Sequence, residues 1–186
     1  MNMLKHALIV TALSAATALP ALAGGTPVSP HEAIGITNAG NVIKITYGRP
    51  YSKSPTTGAI RKIWGELVPW EKAWRLGADL ATTMVCDKAI VLGGTKVPAG
   101  TYTLYMVPSE KGTSKLAISK TTGQWGIPVD EKNDLARVDL KKAALDPQVD
   151  QLTLSLAPSP AEAAPSVLLK ISWEKTQYSV EFSNAP

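Results

Sequence analysis

The sequence is poor in the residues from which most active sites are built. One of its 186 residues is cysteine and two are histidine. With Cys86 alone, an intramolecular disulfide is impossible and the fold has to stand on apolar burial; a solitary thiol reads as a small buried apolar residue. His6 falls in the N-terminal leader described below, which leaves His31, read as an exposed or capping residue. Zinc sites draw on several His or Cys ligands, and His31 and Cys86 are far apart in the chain, so no metal is expected. A Ser-His-Asp triad would have to use His31, close to the start of the chain, and there is no Gly-x-Ser-x-Gly motif. There is also no Gly-x-Gly-x-x-Gly fingerprint and no P-loop, so no phosphate cradle and no cofactor are expected.

Charge is sparse too. Asp, Glu, Lys and Arg make up 18% of the chain, with a net charge of +4, and the lysines are interspersed with acidic residues. Without a basic run or an aromatic-interleaved motif, nucleic acid is not an expected partner. Asp130-Glu131-Lys132-Asn133-Asp134 lacks the ligand spacing and central glycine of an EF-hand loop and reads as a solvated loop. There is one long apolar run, Ala7 to Leu19, too short to span a bilayer comfortably. Lys5 and His6 precede it and Ala21-Leu22-Ala23 follows, which is the pattern of a secretory signal over residues 1–23. No cysteine lies at the cleavage point to make a lipoprotein. The expectation is a protein exported to the periplasm or beyond, with no integral membrane span after signal removal and with residues 24–186 as a single domain.

What is present is alternation. Val42 to Tyr47, Thr82 to Cys86, Ala89 to Leu92, Thr101 to Val107 and Lys115 to Ser119 have the period of two that sends alternate side chains to opposite faces of a strand. Gly93-Gly94 and Pro98-Ala99-Gly100 supply turns between them, and Arg137 to Leu140 reads as an edge strand. Leu152, Leu154 and Leu156 share one face. Val167, Leu169, Ile171 and Trp173 form another such set; Glu174 to Gln177 then reads as a turn, with Tyr178, Val180 and Phe182 inward on the return strand. Ala157 to Pro165 reads as an exposed loop. This predicts an all-β chain, an antiparallel β-sandwich or partly open barrel. Ile60 to Leu67 and Trp70 to Trp74 are each predicted as a turn or two of helix in a long crossover, separated at Pro69.

That crossover holds the unusual composition. Between Tyr47 and Thr83 lie three of the five tryptophans (Trp64, Trp70, Trp74) and three of the four arginines (Arg49, Arg61, Arg75). Arginine is suited to bidentate and stacked contacts that lysine serves less well. The pieces Tyr47-Gly48-Arg49-Pro50, Arg61-Lys62-Ile63-Trp64-Gly65, Leu67-Val68-Pro69-Trp70, Trp74-Arg75-Leu76-Gly77-Ala78-Asp79 and Ala81-Thr82-Thr83 resemble, in order and residue type, the bacterial family known as domain of unknown function 2911, whose members are mostly exported. The likeness continues through Pro98-Ala99-Gly100-Thr101-Tyr102, Gln124-Trp125-Gly126, Asp130-Glu131-Lys132 and Trp173-Glu174. It implies no activity, cofactor or catalytic residue to carry over. This chain departs from the family at Asp79-Leu80, where an Asn-Glu pair is common after Gly-Ala, and in extra residues around Ser54 to Ala59.

The residues admit two arrangements. In one, the tryptophans plug an open end of the sandwich, with Arg49 and Arg75 stacked on them and paired to Asp79 or Glu66. In the other, Tyr47, Arg49, Trp64, Trp70, Trp74, Arg75, Asp79 and Trp125 line a ligand site, an arginine gripping a carboxylate, sulfate or phosphate and the rings holding an apolar or sugar ring. The leading expectation is a non-catalytic module for a small anionic or carbohydrate-like ligand or an envelope partner. A carboxylate-based hydrolase or lyase using Asp79, Glu66 or Glu71 with Arg49 or Arg75 is the alternative, and a purely structural envelope protein is a third.

Overall fold

Ile43, Ile45 and Tyr47 are buried while Val42, Lys44 and Thr46 face solvent, so the period of two delivers one apolar set to the core. They belong to β2, Asn41–Gly48, in a computed structural model that describes residues 27–159 and 166–186. β2 is preceded by β1, His31–Asn38, through a tight turn in which Ala39 and Gly40 both have positive φ (45° and 73°), the geometry that matches the twist of a two-residue hairpin. β3 (Thr82–Cys86), β6 (Gly100–Val107), β7 (Lys115–Ser119) and β8 (Asp134–Asp139) complete an antiparallel sheet of order β1-β2-β3-β6-β7-β8.

A second antiparallel sheet has the order β5-β4-β10-β9, with β4 Ile90–Leu92, β5 Thr95–Val97, β9 Lys141–Pro158 and β10 Ser166–Asn184. The two sheets pack as a sandwich, as the alternation predicts. Ile43, Met84, Leu104 and Leu116 from the first share one apolar cluster with Leu154, Leu169, Ile171 and Phe182 from the second, and each such side chain contributes roughly 1.5–3 kcal/mol by leaving water. Cys86 is part of this core, and burial pushes its thiol above the ordinary range, away from a reactive thiolate.

Three sequence expectations are corrected. The crossover has no helix; the one helical turn among the described residues is a 3-10 turn at Glu131–Asn133, capped by Asp130. Between Ile60 and Trp74 the backbone bonds are not a helical ladder: Val68 N donates to Ile63 O at 2.8 Å and Gly65 N to Val68 O at 2.9 Å, and Trp74 exchanges two bonds with Met106 of β6. Burial of Ile63, Val68 and Trp74 against the sheets outweighs the weak local helix preference. Second, Glu174 to Gln177 does not turn the chain. β10 runs straight through, and an irregularity around Glu174, at φ 51°, moves the inward set from odd positions (Val167 to Trp173) to even ones (Tyr178 to Phe182). The register slips there, Ser172 pairing with Thr153, Glu174 with Val149 and Thr176 with Ala144, so the extra residues lie on β9, and the left-handed Glu174 changes the phase of β10 without reversing its direction. Third, β9 extends through Ala157 and Pro158 of the expected loop and starts well before Leu152. Residues 160–165 and the expected signal, 1–23, lie outside the described residues.

Candidate functional site

The site is built where β2 ends. A Cβ on Gly48 would sit 2.2 Å from the carbonyl oxygen of Ala78, so only glycine lets residues 76–80 lie backbone to backbone against the strand. Within that loop Leu76 and Asp79 both take the left-handed conformation, at φ 55° and 61°. For a bulky residue such as Leu76 this costs on the order of 1–2 kcal/mol, and full burial of its side chain offsets the strain. Thr82 Oγ1 pins the turn by donating to the Leu76 carbonyl at 3.0 Å. Arg75 and Asp79 are thereby presented to a cleft of about 900 Å³.

The other walls come from distant segments: Val28 to Pro30, Pro50, Tyr51 and Lys53 to Pro55 with Arg61, and Asp150, Trp173 and Ile127. Asp79 is only 4% exposed. Its Oδ2 accepts from the backbone N–H of Val28 at 3.2 Å and of Ser29 at 2.9 Å, and His31 Nε2 lies 3.4 Å away. The carboxylate therefore fastens the chain entering β1 to the cleft. His31, an exposed residue as expected, makes this contact with its side chain 28% exposed.

Arg75 is held from two directions. Its Nη1 donates to the Asp79 carbonyl at 2.8 Å, and its guanidinium lies 5.7 Å from the centroid of the Trp125 ring. Burial pushes its pKa down and the charge of Asp79 pulls it back up, with burial the larger effect. Arg61 donates from Nε to the Ser52 carbonyl at 3.4 Å and from Nη2 to the Tyr51 carbonyl. Among the described residues neither Arg61 nor Arg75 has a carboxylate oxygen within 4.0 Å. The arginines off the cleft do: Arg49 pairs with Glu32 at 3.2 Å, and Arg137 pairs with Asp134 and Glu131. Lys53 also lines the cleft.

Of the residues singled out from sequence, Arg75, Asp79 and Trp74 line the cleft. The others have packing roles. Arg49 ties β2 to β9 through the Leu152 carbonyl and Thr153 Oγ1, and Tyr47, 1% exposed, donates to Glu32 Oε2 at 2.7 Å while accepting from Leu154 N at 3.0 Å. Burial, then the bond to Glu32, push the Tyr47 hydroxyl up to about 12. Trp64 stacks on Trp70 (centroids 6.1 Å, 15°) and meets Trp74 edge-on, and Trp74 stacks on Trp173 at 5.9 Å. Over Trp70 sits Lys142, 5.6 Å from the ring, where an arginine was expected. Trp125 backs Arg75 without lining the cleft.

Glu66 is exposed and pairs with Lys62, and Glu71 accepts from Ser109 Oγ and Glu110 N; neither lines the cleft. Among the described residues no three His, Cys, Asp or Glu side chains converge as a metal site would require, and no helix is long and apolar enough to cross a membrane. Sequence reasoning missed Tyr51, Lys53, Arg61, Leu67, Ile127, Asp150 and Trp173 as cleft residues. Arg61 lay inside the arginine-rich stretch and was the one legible signal. Trp173 reads as core by its alternation, and it is core, while also lining the cleft.

No curated protein and no solved structure matches the chain. The family model described as "Protein of unknown function (DUF2911)" matches residues 29–182, nearly all of the described fold and every cleft residue except Val28. The chain belongs to that family.

Proposed function

We propose that the protein is a non-catalytic binding module whose cleft takes a small anionic ligand, with Arg75 as the principal contact and Arg61 and Lys53 as further positive charge. One observation carries this reading: the two arginines without a carboxylate partner are the two that line the cleft. A guanidinium pushed away from water with open donors is poised for a bidentate anion. The cleft volume lies within the range of small-molecule sites. The hydrolase alternative loses support because Glu66 and Glu71 are elsewhere and the Asp79 carboxylate already accepts two backbone N–H groups. The leader pattern of residues 1–23 supports a role outside the cytoplasm.

Thermal unfolding in the presence of small organic acids tests this. A ligand at a hundred times its Kd stabilises by about 2.7 kcal/mol, which for a domain of this size raises Tm by about 5–10 °C. Acids are expected to give that rise, their neutral amides much less, and Arg75→Ala should abolish the difference. The reading fails if no acid stabilises the protein, or if Arg75→Ala responds as strongly as the wild type.

A further inference from the structure

The walls of the cleft narrow the ligand class. Val28, Tyr51, Leu67 and Ile127 are 73%, 45%, 42% and 52% exposed, among the most exposed large apolar side chains of the described residues, and all four line the cleft. They come from four separate segments of the chain. Exposed apolar side chains scattered singly need no explanation, but convergence on one concave surface marks a surface prepared for an apolar partner. Pro30, Pro50, Pro55 and Pro69 add walls that have no N–H to donate.

Sugar recognition needs the opposite. A ring of hydroxyls has to be met by many side chains that donate and accept; no asparagine or glutamine lines the cleft, its hydroxyls are those of Ser29, Tyr51 and Ser54, and its carboxylates are those of Asp150 and the already bonded Asp79. The Ser54 hydroxyl is already within 3.1 Å of Thr56 Oγ1. A small inorganic anion fits no better, since it would satisfy Arg75 and leave the apolar walls wet.

From this apolar rim set around guanidinium groups that have no carboxylate partner we infer that the ligand is an amphipathic acid: an alkyl or aryl body carrying a carboxylate or similar head, the head on Arg75 and the body against Tyr51, Leu67 and Ile127. The inference rests on the anion reading above and specifies what else the anion must carry. Carbohydrate-like ligands, which the tryptophan content of the sequence leaves open, are excluded by it.

Isothermal titration of the full chain with a homologous series of alkanoates from butanoate to decanoate, all below micelle-forming concentration, tests it. Each methylene buried in the cleft should tighten Kd about fourfold until the walls are covered. The matching alcohols should bind at least tenfold more weakly than the acids, and Arg75→Gln should weaken the acids to the level of the alcohols. Inorganic phosphate and glucuronate are the hydrophilic probes and should bind at least tenfold more weakly than octanoate. If phosphate or glucuronate binds as tightly as octanoate and Kd is flat along the series, the amphipathic assignment is overturned while the anion reading stands. If acids and alcohols bind alike, or if nothing in the panel binds, both are overturned. Leu67→Ser gives an independent arm: it should flatten the chain-length dependence by weakening octanoate and decanoate more than butanoate, and an unaltered series would contradict the assigned wall.

Discussion

Replacing Asp79 should loosen the entry to β1 and destabilise the whole sandwich by an amount the local geometry sets. The Oδ2 atom accepts two backbone N–H bonds, at 2.9 Å from Ser29 and 3.2 Å from Val28, in a side chain that is 6% exposed. Hydrogen bonds to a charged group are worth about 1.5–3 kcal/mol each. The longer bond, to an exposed residue, belongs below that range, so the pair contributes about 2–3 kcal/mol. Asp79→Ala also leaves the Cβ at φ 61° without the polar group that makes this conformation tolerable for aspartate, which adds about 1 kcal/mol. Asp79→Gly removes the bonds without the strain, and Asp79→Asn keeps one acceptor and a residue that tolerates this conformation. The expected order of loss is therefore Ala at about 3–4, Gly at about 2–3 and Asn at about 1 kcal/mol. Urea unfolding followed by tryptophan fluorescence measures it, and faster amide exchange at Val28 and Ser29 in all three variants localises it. An Asp79→Ala protein within about 0.5 kcal/mol of the wild type would refute the reasoning, since surface changes without such a role fall in that range.

Other expectations follow from single contacts. Gly48→Ala forces a methyl to within 2.2 Å of the Ala78 carbonyl, and should cost about 3 kcal/mol or more, as overpacking against backbone has no flexible side chain to yield; a midpoint in urea equal to the wild type would contradict it. Burial, and then the bond to Glu32, push the Tyr47 hydroxyl from its ordinary value near 10 up to about 12, so its stabilising share is complete below pH 10 and is lost as pH rises from 10 to 12; the amount is about 2–3 kcal/mol. Tyr47→Phe should lack that portion of the alkaline decline when unfolding free energies are compared at pH 9 and pH 12. Glu174→Gly should raise stability by about 0.5–1 kcal/mol, because a non-glycine residue at φ 51° in β10 carries strain that glycine does not; a loss measured in the same unfolding experiment would contradict it.

The sandwich was legible because alternation and turn chemistry agree: Gly93 and Gly94 turn between β4 and β5 with both φ positive, and the inward sets of β2, β3, β6 and β7 are buried as read. The strand between Val167 and Phe182 shows where pattern alone runs out. A change of phase from odd to even positions is produced equally by a turn or by an irregularity within one strand, and only pairing with a long β9 selects the continuous strand. The same limit applies to the site. Arg49 and Arg75 are equal candidates in sequence, and what separates them is Glu32, which lies opposite Tyr47 on the unread strand β1 and takes Arg49 out of contention. The apolar side chains that define the cleft are individually unremarkable exposed residues; their convergence from distant segments is a property of the fold and leaves no local pattern.

The central claim is that Arg75 and Arg61 hold an anion that Arg49 and Arg137 do not. The chain contains only these four arginines, so their Nε–H groups give an assignable set of nitrogen resonances. Titration of the isotope-labelled protein with octanoate should shift the Nε signals of Arg75 and Arg61, in a saturable way and with one shared Kd, while those of the carboxylate-paired Arg49 and Arg137 stay in place. Signals that remain fixed for Arg75 and Arg61, or that move alike for all four arginines without saturating, would contradict the account.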